Sequence, residues 1–435
     1  MSDTLPLTAV NAPETLARIG AQLAGYDPQA LTADAVLAFL AHMVTPLTGS
    51  ETVPVFQALD RVLAVDVISP LSVPPHDNSA MDGYAFDGHN LPAAQSLHVV
   101  GTALAGKAWP GQVQAGQCVK IMTGAIMPPG LDTVVAQELA QVDGDRVQMA
   151  AGLLQRGDNR RLCGEDLMKG QPALPAGTRL GPAACGLLAS LGLAQVSVRP
   201  RLKVAYFSTG DEILSLGETP REGAVYDSNR YTVHGMLTRM GCEVLDMGVV
   251  RDEPALLEAA FRQAAAQADA IITSGGVSVG EADFTKAMMQ KLGDVAFWRI
   301  AMRPGRPMAV GRIAQGDRSA VLFGLPGNPV AVMVTFLAFV RPTLQRMMGM
   351  SCSNLPLLKA RSQEVLRKKP GRTEYQRGIV SRNARGELQV VTTGNQGSGV
   401  LSSMVQANGL IVLHHDQATT PLGEWVDVMM FDGHL

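Results

Sequence analysis

The 435-residue chain is longer than one hydrophobic core usually supports, so its length predicts two to four domains. Apolar residues make up 46% and charged residues 17%, as in globular proteins, and the plentiful Gly and Pro favour turns and β structure. The net charge of −3 argues against a dedicated nucleic-acid or membrane surface, so single basic residues should matter at an anion site.

The cysteines and the first residues of the chain indicate a compartment. The cysteines are odd in number, far apart and form no CxxC pair, which fits reduced thiols that serve packing. They are Cys118, Cys163, Cys185, Cys242 and Cys352. The chain begins without a basic region before an apolar core, and no later segment holds about 18 uncharged apolar residues in a row. The sequence therefore predicts a soluble, cytoplasmic protein.

The first part of the chain reads as a tail followed by helices. Residues 1–30 are predicted to be a variable tail with one short helix around 13–23. Thr32 can cap a helix whose apolar residues recur at helical spacing up to Met43. A second helix is expected at about 53–65. Residues 31–70, together with 166–200, are interpreted as a helical and linker domain.

Short alternating runs separated by Gly and Pro at 71–165 predict a small β domain inserted between these helical segments. Two of its loops are rich in Asn, Asp, Ser and Gly, namely DNSAMDGY at 77–84 and IMTGA at 121–125. Such turns often only satisfy their own backbone, which is the default interpretation. They could also reach a neighbouring site.

Strand-like and helix-like segments alternate at 201–350, which predicts a doubly wound, mainly parallel sheet with ligands beyond the carboxyl ends of its strands. Helices are expected at about 231–239, 254–267, 282–292 and 329–347. Residues 351–435 return to strand-sized runs and predict a C-terminal β domain. The fold class is therefore multidomain α/β plus β.

A glycine-rich segment, ITSGGVSVGEADFT at 272–285, follows one of these strands. Gly275, Gly276 and Gly280 allow positive φ, and the amides that follow can face an anion at the start of a helix. The geometry suits a phosphate, although the P-loop lysine is missing. A plain strand-to-helix loop explains the same residues equally well.

Acids and arginines follow other strands of the same domain. Glu212, Asp252 and Asp283 offer the oxygen ligands that hold Mg²⁺ while water and substrate phosphate complete its shell. Each acid alone could instead cap the helix that follows it. Arg303 and Arg306 lie in a turn stiffened by Pro and Gly, and rigid guanidinium groups suit a tetrahedral oxyanion.

Nine motifs, in this order and spacing, resemble the molybdopterin molybdenumtransferase family of MoeA and the gephyrin E domain. They are PPHDNSAMDGYAFDG, IMTGAIMPPG, GEDLMKG, FSTGDEI, VYDSNRY, TSGGVSVGEADFTK, MRPGRPMAVG, FGLPGNPVAV and TTGNQGS. The resemblance runs from about residue 30 to the end. It implies an enzyme of molybdenum cofactor biosynthesis that takes adenylylated molybdopterin and molybdate, cleaves the adenylate with Mg²⁺ present, and leaves molybdenum on the dithiolene.

The resemblance also implies roles for individual residues. The catalytic positions are Asp77, Thr123, Glu212, Asp252 and Asp283, of which the last three hold Mg²⁺. The substrate-binding positions are Ser274, Gly275, Gly276, Ser278 and Gly280 for the phosphate end of the pterin, with Asn328, and Arg303, Arg306, Arg372 and Ser398 on the molybdate side. The family more often has Lys at one or both of positions 303 and 306, and His where Asn395 stands, so the anion affinity is the property that these departures affect.

Family members are homodimers whose cleft is shared between the α/β domain of one chain and β domains of the other, and the resemblance implies the same here. Molybdopterin adenylyltransferase and cofactor-accepting proteins are further candidate partners. Two alternatives remain. A molybdopterin adenylyltransferase would need only the α/β domain, and a non-catalytic scaffold would not need the acids.

Overall fold

The computed structural model describes residues 15–23, 26–91, 95–277, 284–351 and 356–431. The chain forms two compact units. The first unit comprises Met1–Glu51, Asp60–Ala64 and Val198–Leu435, and the second comprises Thr52–Leu59 and Val65–Ser197. The second unit is therefore inserted into the sequence of the first.

A six-stranded sheet forms the centre of the first unit. In sheet order its strands are Glu243–Val250, Lys203–Thr209, Ala270–Ser274, Arg318–Leu325, Pro307–Gln315 and Gly293–Arg299. The first four strands are parallel to one another. Pro307–Gln315 pairs antiparallel with Arg318–Leu325 on one side and with Gly293–Arg299 on the other. This arrangement confirms the predicted α/β fold, and it places the loops after the parallel strands along one edge of the sheet.

Both faces of this sheet are buried, which explains the nearly continuous apolar runs in its strands. Val204 and Tyr206 pack into one hydrophobic core, whereas Ala205 and Phe207, their neighbours in the same strand, pack into a second core with Phe261. The helices of this region are Ser228–Arg239, Pro254–Gln267, Phe284–Leu292, Pro329–Thr335 and Arg341–Met347, and the last two are joined by a π-helical segment at Phe336–Val340.

The helical stretch Pro329–Met347 has the length and the apolar composition of a membrane-spanning helix. However, 89% of its apolar segment is buried inside the protein, as expected of a core helix. Two of the four predicted helices have the observed bounds, 254–267 and 329–347. The helix predicted at 282–292 is described from Phe284, because residues 282 and 283 lie outside the described residues. The first helix begins earlier than predicted, at Ser228, because Asp227 caps it by accepting a hydrogen bond from the Arg230 amide at 3.0 Å.

The N-terminal helices are Leu16–Gln22 and Ala33–Met43, and the Thr32 hydroxyl caps the second by accepting from the Ala35 amide at 3.2 Å, as predicted. The helix predicted at 53–65 is wrong. The chain there forms a strand, Glu51–Pro54, and a short 3₁₀ turn, Val55–Gln57. Pro54 lacks the amide proton that a helix interior needs, and Asp60 has φ +62°, which no right-handed helix contains.

The C-terminal part of the first unit is a β barrel. Its strands are Met302–Arg303, Thr373–Arg382, Leu388–Thr392, Leu358–Ser362, Trp425–Met430 and Gly409–Leu413. The barrel closes because Thr373–Arg382 also pairs with Gly409–Leu413. A short helix, Ser402–Gln406, precedes the last pair of strands. The short strand Met302–Arg303 pairs parallel with Thr373–Arg382. This pairing anchors the turn of residues 303–306, the arginine turn, to the barrel sheet.

The second unit is rich in short strands, as its alternating runs predict. Its main sheet contains, in order, Thr133–Ala136, Gly83–Phe86, Gln117–Ile121, Gln95–Ala103, Arg146–Met149 and Gln141–Asp143. Two small sheets pair Asn78–Ser79 with Arg160–Arg161 and Val67–Ile68 with Pro172–Leu174. The helix Pro182–Ser190 and the strand Gln195–Val198 follow.

Four of the five cysteines lie in the described residues, and all four are free thiols. Burial raises the pKa of Cys118 and of Cys242 to about 12, so both stay protonated and serve as small apolar side chains. The prediction of reduced, structural cysteines is confirmed for these two. Cys352 lies outside the described residues.

Candidate active site

A cleft of about 700 Å³ in the first unit opens where the parallel strands end. The turn after Ala270–Ser274, the arginine turn and the loop after Arg318–Leu325 supply most of its lining, and the C-terminal barrel supplies the rest. The described residues that line the cleft are Glu212, Gly275–Val277, Met302–Pro307, Pro326–Asn328, Ala331, Arg372 and Gln396–Ser398. Of the residues predicted to bind substrate, Gly275, Gly276, Arg303, Arg306, Asn328, Arg372 and Ser398 therefore meet in one place.

The glycine turn brings its backbone to the cleft because side chains are sterically excluded there. Gly275 and Gly276 have φ of +92° and +63°. A Cβ on Gly275 would lie 2.5 Å from the Thr209 carbonyl oxygen, and one on Gly276 would lie 2.4 Å from Thr285 Cβ. Glycine is thus required at both positions. Ser278, Gly280 and Asp283 lie outside the described residues, so their roles remain predictions.

Ser274 is buried, and its hydroxyl serves the interior. Its Oγ lies 2.7 Å from the Tyr206 hydroxyl and 3.2 Å from Ser208 Oγ, which in turn lies 2.9 Å from the Tyr206 hydroxyl. Burial raises the pKa of Tyr206, so this hydroxyl cluster is uncharged. The cluster forms the base of the glycine turn, and the glycines, rather than the Ser274 side chain, line the cleft.

Acidic residues follow two neighbouring strands of the sheet, Lys203–Thr209 and Glu243–Val250. The Asp252 amide donates to Asp211 Oδ1 at 3.2 Å, and Thr285 Oγ1 donates to Asp252 Oδ1 at 3.2 Å. Burial raises the pKa of Asp252, and the negative charges of Asp211 and Glu212 raise it further against the lowering effect of Thr285. Asp211, which the sequence analysis did not single out, thus contacts the Asp252 backbone. Among the described residues, the carboxylates of Asp211, Glu212 and Asp252 do not all lie within 4.8 Å of one another, and the role of Glu212 and Asp252 as Mg²⁺ ligands stays a prediction.

The arginine turn is held against the helix behind it. The Arg306 carbonyl accepts a hydrogen bond from the Ile300 amide at 2.8 Å. Gly305 has φ +95°, and a Cβ there would lie 2.4 Å from Thr335 Oγ1. This close packing fixes the turn, while the side chains of Arg303 and Arg306 are exposed and available to an anion in the cleft.

Arg372 adds a third guanidinium, and a buried carboxylate sets its direction. Its Nε and Nη2 atoms both donate to Glu374 Oε1, at 2.8 and 2.7 Å. Glu374 is only 3% exposed and also accepts from Gln376 Nε2 at 3.1 Å. The sequence reasoning passed over Glu374, because a single acid in a basic stretch gives no signal of burial.

The loop at 395–398 brings Ser398 to the cleft. Asn395, which stands where the family more often has His, uses its side chain within this loop, because its Oδ1 accepts from the Gly397 amide at 2.9 Å. Asn229 Nδ2 donates to the Gly327 carbonyl at 2.8 Å and holds the loop that carries Asn328.

Asp77 and Thr123, both predicted to be catalytic, lie in the second unit and in neighbouring loops. Asp77 Oδ1 accepts from the Cys163 amide at 2.7 Å, and Arg160 Nη1 lies 3.6 Å from Asp77 Oδ2. The Thr123 amide and hydroxyl both donate to Asp82 Oδ1 at 2.7 Å. These side chains thus satisfy their own loops, which is the default interpretation of such turns. Their catalytic role remains a prediction.

Three comparisons with known proteins agree on the family. Residues 31–192 match the MoeA N-terminal region (domains I and II), residues 205–346 match a probable molybdopterin binding domain, and residues 359–431 match the MoeA C-terminal region (domain IV). The molybdopterin molybdenumtransferase of Haemophilus influenzae is 41% identical over 386 residues, which cover 88% of this chain and 95% of that protein. The molybdopterin molybdenumtransferase of a Nostoc species is 37% identical over 86% of each chain.

The fold agrees with these relatives. The crystal structure of the molybdopterin biosynthesis MoeA protein of Pyrococcus horikoshii superposes with a TM-score of 0.78 at 26% identity, and the match covers 92% of this chain and 100% of that one. The alignments therefore extend through the α/β region, the β insert and the C-terminal barrel alike. Taken with the cleft described above, these similarities show that the chain belongs to the molybdopterin molybdenumtransferase family, the enzymes of molybdenum cofactor biosynthesis.

Proposed function

We propose that this chain inserts molybdate into adenylylated molybdopterin, with cleavage of the adenylate and release of AMP. The observation that carries the proposal is the single cleft in which a glycine turn, three arginine side chains and Ser398 come together. Its volume of about 700 Å³ lies within the range of small-molecule sites. The glycine turn would receive the phosphate end of the pterin, since its backbone approaches the cleft without side chains in between.

The arginines provide the molybdate side of the site. Molybdate is a tetrahedral dianion, and guanidinium groups donate hydrogen bonds in a fixed planar fork that suits such oxyanions. Arg303 and Arg306 come from the turn of the α/β domain, and Arg372 comes from the barrel. Because Glu374 engages one edge of Arg372, its orientation is set before any anion arrives.

Mg²⁺ is proposed to bind at the acids beside the cleft. Asp211, Glu212 and Asp252 carry carboxylate oxygens, the ligands that this ion prefers, and the side chains would have to draw together around it, since the three do not all lie within 4.8 Å of one another. Burial raises the pKa of Asp252, and the charges of Asp211 and Glu212 raise it further, so a divalent cation would favour the ionised carboxylate. Asp283 is proposed as a further ligand from the family resemblance. When bound, Mg²⁺ would neutralise negative charge on the phosphate as the adenylate bond breaks. Thr285 orients the Asp252 carboxylate for that task.

The substitution Arg306→Ala tests the anion assignment. One charge-assisted hydrogen bond contributes about 1.5–3 kcal/mol, so molybdate binding should weaken by about ten- to a hundredfold, while the affinity for molybdopterin changes little. Separate titrations of molybdate and of molybdopterin measure the two effects. Arg299→Ala, at an exposed arginine of the preceding strand, serves as the matched control and should leave both affinities unchanged. Equal loss of both ligands in Arg306→Ala would place molybdate elsewhere.

Release of AMP distinguishes the proposed reaction from its alternatives. The enzyme should release AMP from adenylylated molybdopterin when molybdate and Mg²⁺ are both present. A scaffold that only binds molybdopterin would release none under any condition. A molybdopterin adenylyltransferase would instead form the adenylylated compound, and it would not need the β insert and the barrel that this chain carries.

We also infer a homodimer that works in the cytoplasm, takes substrate from the molybdopterin adenylyltransferase and passes its product to cofactor-accepting proteins. The family resemblance supports the dimer and the partners, and the free thiols of the described cysteines suit a reducing compartment. Sedimentation at micromolar concentration should give about twice the 46.0 kDa mass of one chain.

A further inference from the structure

A buried arginine stands behind the loop that carries Ser398. Arg377 lies on the strand Thr373–Arg382 and is only 1% exposed. Its guanidinium donates to three successive carbonyl oxygens: Nη2 to Asn395 at 3.2 Å, Nη1 to Gln396 at 3.2 Å and Nη2 to Gly397 at 2.8 Å. Its Nε donates to Ser403 Oγ at 2.9 Å. One side chain thus binds three of the four carbonyls of the 395–398 loop, while the Ser398 carbonyl accepts from the Val330 amide.

These hydrogen bonds set the direction of the loop amides. In a trans peptide the C=O and the following N–H point in opposite directions. Since the carbonyls of residues 395–397 face Arg377, the N–H groups of residues 396–398 face away from it. The Gly397 N–H donates to Asn395 Oδ1 at 2.9 Å, so the N–H groups of Gln396 and Ser398, two residues that line the cleft, are the ones that could face an anion.

A second set of contacts ties the same loop to the strand. Gln396 Oε1 accepts from the Arg377 amide at 2.7 Å, and Gln396 Nε2 donates to the Arg377 carbonyl at 3.1 Å. The Thr393 amide also donates to the Arg377 carbonyl at 3.0 Å. The backbone and the side chain of Arg377 therefore hold the loop from both ends.

All of these hydrogen bonds of the Arg377 guanidinium go to uncharged acceptors. Burial lowers the pKa of Arg377, and the positive charge of Arg303 lowers it further, yet a guanidinium remains protonated in proteins. A buried cation whose hydrogen bonds go to carbonyls and a hydroxyl is costly unless a negative charge lies near. Glu364 and Glu374 line a cavity together with Arg377, and an anion in the cleft would add further negative charge.

We propose that Arg377 is a positioning residue that presents the 395–398 loop to the oxyanion and that its buried charge makes the site prefer dianions over monoanions of the same shape. This inference rests on the proposed function, because it takes the cleft to be the molybdate site. The Coulomb energy between the guanidinium and the anion scales with the charge of the anion. Arg377 would thus set affinity and charge selectivity without touching molybdate.

Two anions of the same shape and different charge test the charge effect. Molybdate (−2) and perrhenate (−1) are both tetrahedral, and calorimetric titration of the full-length protein gives the Kd of each. Arg377→Gln removes the charge and keeps a donor for the carbonyls. Molybdate affinity should fall by roughly tenfold. Perrhenate affinity should fall by only about threefold, because perrhenate has half the charge of molybdate and therefore half the Coulomb energy with Arg377.

Arg377→Lys separates the effect of the positive charge from that of the planar guanidinium geometry. It keeps the charge, so the ratio of the two Kd values should stay within about twofold of wild type, while both affinities fall severalfold because an ammonium cannot reproduce the planar fork. Arg382→Gln is the control, at an exposed arginine of the same strand, and it should change neither affinity.

Each outcome has one meaning. Wild-type molybdate affinity in a folded Arg377→Gln protein overturns the proposal, and so does an equal loss for both anions, since that is a structural effect alone. If Arg377→Gln does not fold, wild-type affinity for both anions in Arg377→Lys overturns it. If Arg306→Ala leaves molybdate binding unchanged, the proposed function fails and this inference fails with it. If Arg306→Ala weakens binding and Arg377→Gln does not, only the role of Arg377 is wrong.

Discussion

The acidic loops of the two units hold their carboxylates in opposite ways. In the second unit, the Thr123 amide and hydroxyl donate to Asp82 and lower its pKa. In the first unit, burial raises the pKa of Asp252, and the carboxylates of Asp211 and Glu212 add to this effect. The first arrangement supplies the negative charge with hydrogen-bond donors, whereas the second gathers negative charges together.

The difference indicates where a cation is needed. A carboxylate that already accepts two hydrogen bonds is stable as an anion, but crowded carboxylates repel one another until a positive charge joins them. Sequence alone left a structural explanation open for both, because Asp-rich turns can satisfy their own backbone and a single acid can cap the helix that follows it. The raised pKa of Asp252, caused by burial and then by the charges of Asp211 and Glu212, is what sets it apart from Asp82.

Asp252→Asn should produce the largest effect. The substitution keeps the size of the side chain and removes one ligand charge, so AMP release should fall by about tenfold or more, the loss expected when one transition-state contact is removed. Steady-state release of AMP with saturating molybdate and Mg²⁺ measures it. Asp143→Asn, at an exposed acid of the second unit, is the control and should retain wild-type activity. Full activity in Asp252→Asn would remove this residue from the site.

The same variant should gain thermal stability in the absence of metal. The pKa of Asp252 is raised on folding, so its favourable contribution is present below the ordinary carboxyl pKa and is lost as the pH rises through the folded value. At neutral pH the charge is therefore unfavourable, and Asn should raise Tm. The gain should vanish below about pH 3, where the carboxyl is mostly neutral in both states. A lower Tm at pH 7 without Mg²⁺ would show that Asp252 is not under repulsion.

Mixing two inactive variants tests whether the Asp77 loop of the second unit takes part in catalysis, although its side chain is already hydrogen-bonded within that unit. If the loop of Asp77 completes the cleft of the partner chain, Asp77→Ala mixed with Asp252→Ala should recover about a quarter of wild-type activity, because half the dimers are mixed and each has one intact cleft. Subunit exchange is verified with differently tagged chains. No recovery after proven exchange would mean that the cleft is not shared in this way.

Helices with strong periodicity and clear ends were predictable from sequence. Pro254–Gln267 was predicted with its observed bounds, because it has Pro at its first turn and apolar residues at helical spacing. The helix expected at 53–65 failed because three short apolar runs there imitate helical spacing, while Pro54 and the positive φ of Asp60 end any regular structure. Periodicity gives no information on such backbone constraints.

Part of the cleft was predictable from the residues and part only from the family resemblance. The glycine turn and the turn of Arg303 and Arg306 were predicted from their residue types, Arg372 and Ser398 from the resemblance, and all of them line one cleft. Arg377 was not predicted, because a charged side chain is expected at the surface and this one is buried. Arg377 is 1% exposed, whereas Ile379 on the same strand is 38% exposed. Both side chains lie on the same face of the strand. Arg377 is buried because it donates to the carbonyls of residues 395–397 and to Ser403, which lie much later in the chain, and no local pattern contains these contacts.

Asp82→Asn should produce the smallest effect and the opposite sign of pH dependence. An amide oxygen still accepts from Thr123, but hydrogen bonds to a neutral acceptor are about half as strong, so the turn should open a few times more often. Because the folded pKa of Asp82 is lowered, its contribution is present above the ordinary carboxyl pKa and is lost as the pH falls through the folded value. Hydrogen exchange of the peptide containing Thr123 should therefore be faster in the variant at pH 7, and the two proteins should converge at low pH once intrinsic exchange rates are divided out. Equal protection at pH 7 would show that the charge of Asp82 contributes nothing to this turn, and the contrast with Asp252 would then lose one of its two sides.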